Sequence, residues 1–231
     1  MNASSINHSD LNPVSTIPPL RIKVCGMTRL DQLRILGEMG VEFAGMIFYH
    51  KSPRFVLKTL TGEQVKKAKL KVYKVGVFVN STYEEIMNYV DQFGLDLVQL
   101  HGDETPKFCE QVSNYISVIK AFRLAPDDPI EWKIKEYRDV VDMYLFDTLG
   151  VGYGGTGKKF DWTVLRDAQI KKPFFLSGGI DPNDVENIRA FQTEEVAKDL
   201  FAIDINSCFE SSPGVKDMDL IQPFIHALKV Q

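Results

Sequence analysis

Two side chains of the sequence combine a reactive group with a position at the end of an apolar segment. Cys25 follows the apolar segment 20–24, and Asp147 ends the apolar segment 143–147. A thiol beside a helix N-terminus has a lowered pKa and serves as a base or nucleophile, whereas partial burial raises the pKa of a carboxyl group. A thiolate and a carboxylic acid across one site would transfer protons, which suits an isomerase. The alternatives are plain packing for Cys25 and a loop-orienting or helix-capping carboxylate for Asp147.

A second group of residues indicates a binding site for phosphate. The pair Gly178 and Gly179 follows one predicted strand, and the pair Asn206 and Ser207 follows the next. Glycines let backbone N–H groups approach an anion closely, and α/β barrels commonly hold phosphate in the loops after their last two strands. A tight turn without a ligand is the alternative interpretation of the two glycines.

Arg54 and His101 also follow predicted strands. The planar guanidinium of Arg54, held after Pro53, suits bidentate binding of a carboxylate, although an arginine of this kind is more often solvated. His101, in the segment QLHG, contacts a substrate or caps its own loop, and the residues leave both interpretations open.

The glycine-rich segment 152–159 is close to a phosphate-binding P-loop but fails at its last position. Lys159 stands where a Ser or Thr must bind the magnesium ion. We therefore predict a mobile lid over the site, in which Lys158 reaches an anion of the substrate.

Composition narrows the function further. The chain has 231 residues and a net charge of -4 with the two signs mixed, so it lacks the basic stripe of a nucleic-acid-binding protein. Its cysteines show no CxxC spacing, which argues against a disulfide framework and a metal site and favours a reducing, cytoplasmic setting. No apolar segment approaches membrane-spanning length, and residues 1–19 are expected to form a flexible leader that is not a signal peptide.

The elements that would position these side chains alternate along the chain. Eight apolar segments read as buried strands, and helical patterns or capping residues follow most of them. The predicted strands are 20–25, 43–49, 72–79, 95–100, 117–122, 143–147, 172–176 and 200–205. Eight such units predict a parallel (β/α)8 TIM barrel, a single domain over residues 20–231, with an open doubly wound sheet as the alternative. The active site of such a barrel lies at the carboxyl ends of its strands, where the candidate residues fall.

These segments, taken in order, resemble the phosphoribosylanthranilate isomerase family of tryptophan biosynthesis, whose members are (β/α)8 barrels. The matching segments are KVCGMT, GMIFYHKSPRFV, VGVFVN, LDLVQLHGDE, VIKAFR, LFDT, GGTGKKFDW, LSGGIDPNDV and ID…GVKD. The resemblance covers essentially everything after about residue 20, and the cysteine motif, QLHGDE and GGTGKKFDW are among its specific parts.

The resemblance implies an Amadori rearrangement of N-(5-phosphoribosyl)anthranilate to 1-(2-carboxyphenylamino)-1-deoxyribulose 5-phosphate. In it Asp147 would be the general acid and Cys25 the general base, and Arg54 would hold the anthranilate carboxylate. The phosphate would be held by Gly178, Gly179, Asn206 and Ser207. No metal or organic cofactor is required, the expected partner is a small phosphosugar, and a monomer is the default with a homodimer possible.

One departure and two rival functions accompany this resemblance. Cys208 and Phe209 replace smaller residues where backbone should approach the phosphate, so the resemblance assigns the phosphate to Gly178 and Gly179 more firmly than to this loop. The segment 192–199 is longer than a minimal connection. The histidine-pathway sugar isomerase has an aspartate in place of Cys25. A barrel that lost catalysis and serves as a binding or regulatory module is the other rival, and the presence of Cys25 and Asp147 argues against it.

Overall fold

The computed structural model describes residues 20–125, 128–148 and 161–229. Eight parallel strands pair in sequence order, and the eighth pairs with the first, which closes a barrel. The strands are β1 (Arg21–Val24), β2 (Phe43–Ile47), β3 (Tyr73–Phe78), β4 (Leu97–Leu100), β5 (Ser117–Leu124), β6 (Met143–Thr148), β7 (Phe174–Leu176) and β8 (Leu200–Ile205). The predicted TIM barrel is therefore confirmed and the open sheet is wrong. The expected leader, 1–19, and the expected lid, 152–159 with Lys158, lie outside the described residues.

Helices follow most of the strands on the outside of the barrel. They are α1 (Leu30–Glu38), α2 (Gly62–Lys67), α3 (Tyr83–Phe93), α4 (Pro106–Ser113), α5 (Ile130–Lys135), α6 (Val185–Gln192) and α7 (Met218–Lys229). Thr61 and Thr82 begin α2 and α3 with capping boxes, in which the threonine and the third helical residue satisfy each other's backbone N–H groups. The segment 192–199 holds the end of α6 and the 3-10 helix Glu195–Asp199.

Alternate residues of each strand face the barrel interior or the helices, because successive side chains of a strand point to opposite faces. The interior carries an apolar layer made of Phe43, Val75, Leu97, Ile119, Ala121, Leu145, Phe175 and Ala202. In β4, β6 and β8 the next inward residue toward the carboxyl end is polar: Gln99, Asp147 and Asp204. The barrel therefore has an apolar floor and a polar upper layer.

A small hairpin follows β8, where we predicted only a polar loop. After the 3-10 helix Ser207–Phe209, β9 (Glu210–Ser212) pairs antiparallel with β10 (Val215–Lys216). Phe209 is fully buried and packs against Phe224 of α7, with ring centroids 4.8 Å apart. The bulk of Phe209 therefore lies in the core, and not beside the loop backbone that should approach the phosphate.

Three features of the described residues bear on function. No helix among them is long and apolar enough to span a membrane. No cluster of three or more His, Cys, Asp or Glu side chains in this part of the chain is placed to hold a metal ion. Cys25, Cys109 and Cys208 are all free thiols.

Candidate active site

Inward-facing residues at the carboxyl ends of the strands line one cavity. Cys25 reaches it from the end of β1, and Asp147 reaches it from β6. The other described lining residues are Ile47, Tyr49, Ser52, Val77, Val79, Gln99, His101, Ser177, Asp204 and Asn206. The structure thus brings together four of the predicted site residues: Cys25, Asp147, His101 and Asn206.

Cys25 is buried next to a charged pair that sequence reasoning missed. Lys23 Nζ donates a hydrogen bond to Asp204 Oδ2 at 2.8 Å, and neither side chain is more than 6% exposed. Burial raises the pKa of the Cys25 thiol, and the charge of Asp204 adds to this, while the ammonium groups of Lys23 and Lys216 oppose it. The expected lowering of this pKa by a helix N-terminus is therefore wrong, because α1 begins only at Leu30 and burial outweighs the cations.

Burial and mutual attraction act against each other in the pair of Lys23 and Asp204. Burial favours the neutral form of Lys23, but the charge of Asp204, the neighbouring Cys25 and the hydrogen bonds to both together outweigh it, and the pKa of Lys23 is raised. Burial raises the pKa of Asp204, and the attraction of Lys23 acts against that shift. The pair places an ammonium group beside Cys25, where it would stabilise a thiolate once one forms.

Asp147 belongs to a short chain of polar side chains. His101 Nε2 lies 3.5 Å from Asp147 Oδ2, and Gln99 Nε2 lies 2.7 Å from His101 Nδ1. When the Gln99 amide donates, Nδ1 accepts and the ring proton stands on Nε2, facing the carboxyl group. The backbone N–H of Thr148 donates to Asp147 Oδ1 at 2.8 Å. His101 therefore stands beside the candidate acid, an arrangement that neither of our two interpretations included.

Three polar atoms of the cavity wall are buried without a hydrogen-bond partner among the described residues. They are Gln99 Oε1, His101 Nε2 and Asp204 Oδ1. A buried polar atom left in this way costs about 1–3 kcal/mol, so each atom favours the entry of a polar group that can satisfy it. The cavity is therefore suited to a ligand that carries hydroxyl groups.

The guanidinium of Arg54 is already bound to a carboxylate of the chain itself. Its Nε donates to both oxygens of Glu210 at 2.9 Å, and its Nη2 donates to Oε2 at 2.6 Å. Both side chains are largely buried, and Arg54 is not part of the described lining of the Cys25 cavity. The guanidinium binds a carboxylate with the predicted fork geometry, but that carboxylate belongs to the hairpin after β8.

The predicted phosphate residues lie on two loops that touch each other. Gly178 and Gly179 have φ values of 95° and 70°, which favour glycine, and they line a second concavity beside the first. Ser207 begins the 3-10 helix after β8 and is absent from the described lining of both concavities. The Cys208 thiol lies 3.9 Å from the Gly179 carbonyl oxygen, so the loops after β7 and β8 are in contact.

Sequence reasoning missed Lys23, Gln99 and Asp204. Each lies two residues before a candidate site residue of the same strand or its end, and residues two apart in a strand face the same side. A polar residue at an inward position of an otherwise apolar strand was the signal that could have identified them. Glu210 and Lys216 lie in a hairpin with no such periodic pattern.

A closed parallel barrel whose carboxyl-end cavity is lined by a thiol, an imidazole and two carboxyl groups has the architecture of a TIM-barrel enzyme. Comparison with known proteins adds the family. The model of the family described as N-(5'phosphoribosyl)anthranilate (PRA) isomerase matches residues 22–227. The chain belongs to this family and is an isomerase of tryptophan biosynthesis.

Relatives and solved structures agree with this assignment. The chain is 43% identical to the N-(5'-phosphoribosyl)anthranilate isomerase of Parabacteroides distasonis, over 90% of this chain and 92% of that one. It is 37% identical to the Thermotoga neapolitana enzyme, over 91% and 98% of the two chains. The crystal structure of the Thermotoga maritima enzyme superposes with a TM-score of 0.78 at 34% identity, covering 92% of this chain and all of that one.

Proposed function

We propose that this chain rearranges N-(5-phosphoribosyl)anthranilate to 1-(2-carboxyphenylamino)-1-deoxyribulose 5-phosphate, with Asp147 as general acid and Cys25 as general base. The observation that carries these roles is that Cys25, directly after β1, and Asp147, in β6, line one cavity at the carboxyl end of the barrel. A related isomerase has been solved in complex with reduced 1-(o-carboxyphenylamino)-1-deoxyribulose 5-phosphate, at 32% identity and a TM-score of 0.75.

The proposed reaction assigns two proton transfers to side chains of this protein. Asp147 gives its proton to the ring oxygen of the ribose, the bond from that oxygen to C1′ breaks, and the nitrogen lone pair forms a C=N bond. The Cys25 thiolate then removes the C2′ proton, and the C–H electron pair forms a C1′–C2′ double bond as the C=N electrons return to nitrogen. The resulting enol then tautomerises to the ketone: the Cys25 thiol or solvent returns a proton to C1′, and the C2′ hydroxyl releases its own proton to solvent. The substrate nitrogen accepts the electrons, so neither a metal nor an organic cofactor is needed.

The ends of the substrate are assigned to two groups of residues. Arg54 holds the anthranilate carboxylate, and its largely buried guanidinium supports this role because a desolvated charge attracts an anion more strongly. The phosphate is assigned to Gly178, Gly179, Asn206 and Ser207. The contact between the loops after β7 and β8 supports a shared phosphate site.

The cellular setting and assembly are part of the same proposal. Three free thiols support the cytoplasmic location, since structural disulfides are typical of oxidising compartments. The expected partner is the phosphosugar alone, without nucleic acid. A monomer is the default assembly, although a Thermotoga maritima relative is described as dimeric.

The rate at which anthranilate fluorescence disappears, when the protein meets freshly made phosphoribosylanthranilate, tests the reaction. We expect rapid, catalytic loss with the wild-type chain. A protein that is inert while it still binds a phosphorylated product analogue would instead support the binding-module alternative.

Gly26 follows the candidate base Cys25 and packs against the side chains of Arg54 and Asn206. Replacement of Gly26 by alanine tests whether this close packing positions the two binding residues. A Cβ at Gly26 would lie 2.6 Å from Arg54 Cδ and 2.7 Å from Asn206 Oδ1, so one of these side chains must move. We expect Gly26→Ala to raise KM for the substrate about tenfold, because small displacements of positioning groups are costly. Gly40→Ala is the matched control: φ is +74° there and +75° at Gly26, and the nearest neighbour of its Cβ, Lys229 Nζ, is 3.8 Å away. An equal change of KM in both variants would contradict the prediction.

A further inference from the structure

The hairpin after β8 contains a buried cluster of charges to which the proposed reaction assigns no role. Glu210 binds the Nε and Nη2 groups of Arg54, and its side chain is only 3% exposed. Lys216 Nζ donates to Glu210 Oε1 at 2.7 Å and has a fully buried side chain. The backbone N–H of Gly214 donates to the same oxygen at 3.1 Å. The carboxylate of Glu210 therefore accepts hydrogen bonds from three residues, which supply four donor groups in total.

The cluster also reaches the loop that carries Asn206. Lys216 Nζ donates to Asn206 Oδ1 at 2.8 Å, and the Asn206 carbonyl lies 3.3 Å from the same ammonium group. Lys216 is the lysine of the segment GVKD, which matches the family without an assigned role. Gln32 of α1 fixes its backbone from below, because its side chain accepts from the Lys216 N–H at 3.0 Å and donates to the Lys216 carbonyl at 2.7 Å.

The charges of this cluster do not cancel. With Lys216 protonated, two cations surround one carboxylate, which leaves a net charge of about one positive unit in a buried place. Arg54 and Lys216 together hold the pKa of Glu210 below its ordinary value against the effect of burial. Nη1 of Arg54 makes no hydrogen bond to any described residue. The Nη1 side of the guanidinium therefore has no anion bound to it among the described residues.

We infer that Glu210, held by Lys216, is a positioning residue that fixes the guanidinium of Arg54 so that its Nη1 side receives the carboxylate of the substrate. This inference rests on the proposed function, because it takes the anthranilate carboxylate as the partner of Arg54. Glu210 binds the Nε and Nη2 edge of the guanidinium and thereby fixes the direction in which the Nη1 edge points. The recognition of the substrate carboxylate then depends on a residue that does not touch the substrate.

Glu210 could also weaken substrate binding by competing for Arg54, and this opposite expectation makes the inference testable. A carboxylate on Arg54 competes with a second carboxylate for the same positive charge, so its removal would strengthen substrate binding if orientation were unimportant. In Glu210→Gln, however, the new amide NH2 faces the N–H donors of Arg54 or Lys216, which pushes the guanidinium out of place. Loss of orientation and loss of competition therefore change KM in opposite directions.

The test compares Glu210→Gln with the wild type on two compounds. One is phosphoribosylanthranilate, followed as a substrate. The other is N-(5-phosphoribosyl)aniline, which lacks the carboxylate and is measured as a competitive inhibitor. Glu186→Gln, which alters an exposed pair with Arg189 on α6, is the matched control.

We expect Glu210→Gln to raise KM for phosphoribosylanthranilate about tenfold, with kcat within twofold and the inhibition constant of the aniline compound within twofold. In an Arg54→Met background the same change should leave KM unaltered. A KM that is unchanged or lower, or an equal loss for both compounds, would overturn the inference. If wild type does not turn over phosphoribosylanthranilate at all, the proposed function fails instead.

A second variant keeps the test valid if Glu210→Gln does not fold. Glu210→Asp preserves the charge that buried Lys216 needs and withdraws the carboxylate by about one C–C bond. We expect it to fold and to raise KM less than Glu210→Gln, again without effect on the aniline compound. Thermal unfolding of each variant, read by circular dichroism, shows that the measured protein is native.

Discussion

Cys25→Ser is expected to lower kcat roughly 10²- to 10⁴-fold, the usual contribution of a positioned acid or base. Serine keeps the size and hydrogen bonding of cysteine, but a hydroxyl is a far weaker acid than a thiol, so the base that removes the C2′ proton is lost. Steady-state assay of phosphoribosylanthranilate turnover measures the effect. A variant with near wild-type kcat would show that Cys25 is a packing residue.

The pH profile gives the same experiment a second readout. A general base is active when it is deprotonated, and burial raises the pKa of Cys25. We therefore expect kcat/KM to keep rising with pH above the pKa of an ordinary exposed thiol. Cys25→Asp should move this rising limb to lower pH, because a carboxyl group titrates below a thiol. Cys109→Ser is the control: Cys109 is buried in α4 with a pKa raised to about 12 and should leave the profile unchanged.

The fold was predictable because a parallel barrel leaves strong local signals. Its strands are buried on both faces and appear as apolar segments, and β8 spans Leu200–Ile205, the same residues as predicted. The start of α3 has a local signal of the same kind, because Thr82 and the glutamate three residues later form a capping box. The hairpin after β8 was not, because β9 and β10 have three and two residues, too few for a period to show.

The site was predictable only where its residues end strands. Cys25, His101 and Asp147 have this position, and they share a cavity. The ion pairs that control them join residues far apart in the sequence: 181 positions separate Lys23 from Asp204, and 156 separate Arg54 from Glu210. No local pattern encodes such a pairing.

The error in the pKa of Cys25 has the same origin. The sequence places the thiol before a helix and so suggests a favourable dipole, but the closed barrel decides how deeply it is buried. Cys25 is only 5% exposed, and the loss of hydration outweighs both lysines. Burial of a strand end depends on the seven other strands, which a single segment cannot report.

The substitution Asp147→Asn is expected to have the second large effect and to lower kcat/KM roughly 10²- to 10⁴-fold. Asparagine can keep the hydrogen bond from the Thr148 N–H to Oδ1, so the fold should be unchanged. It cannot donate a proton to the ribose ring oxygen, and the ring would stay closed. Activity within tenfold of wild type would contradict the assignment of Asp147 as the acid.

The two variants should stop the reaction at different stages, which separates an acid from a base. The Asp147→Asn variant should form no Schiff base. The Cys25→Ser variant should still open the ring, and the open-chain Schiff base should accumulate. Cyanoborohydride supplies a hydride that converts a C=N bond to a secondary amine, so the reduced open-chain compound should appear with Cys25→Ser and not with Asp147→Asn. Mass spectrometry of the quenched mixture detects it. Reversal of this pattern would exchange the two roles, because the residue whose loss prevents ring opening must be the one that protonates the ring oxygen.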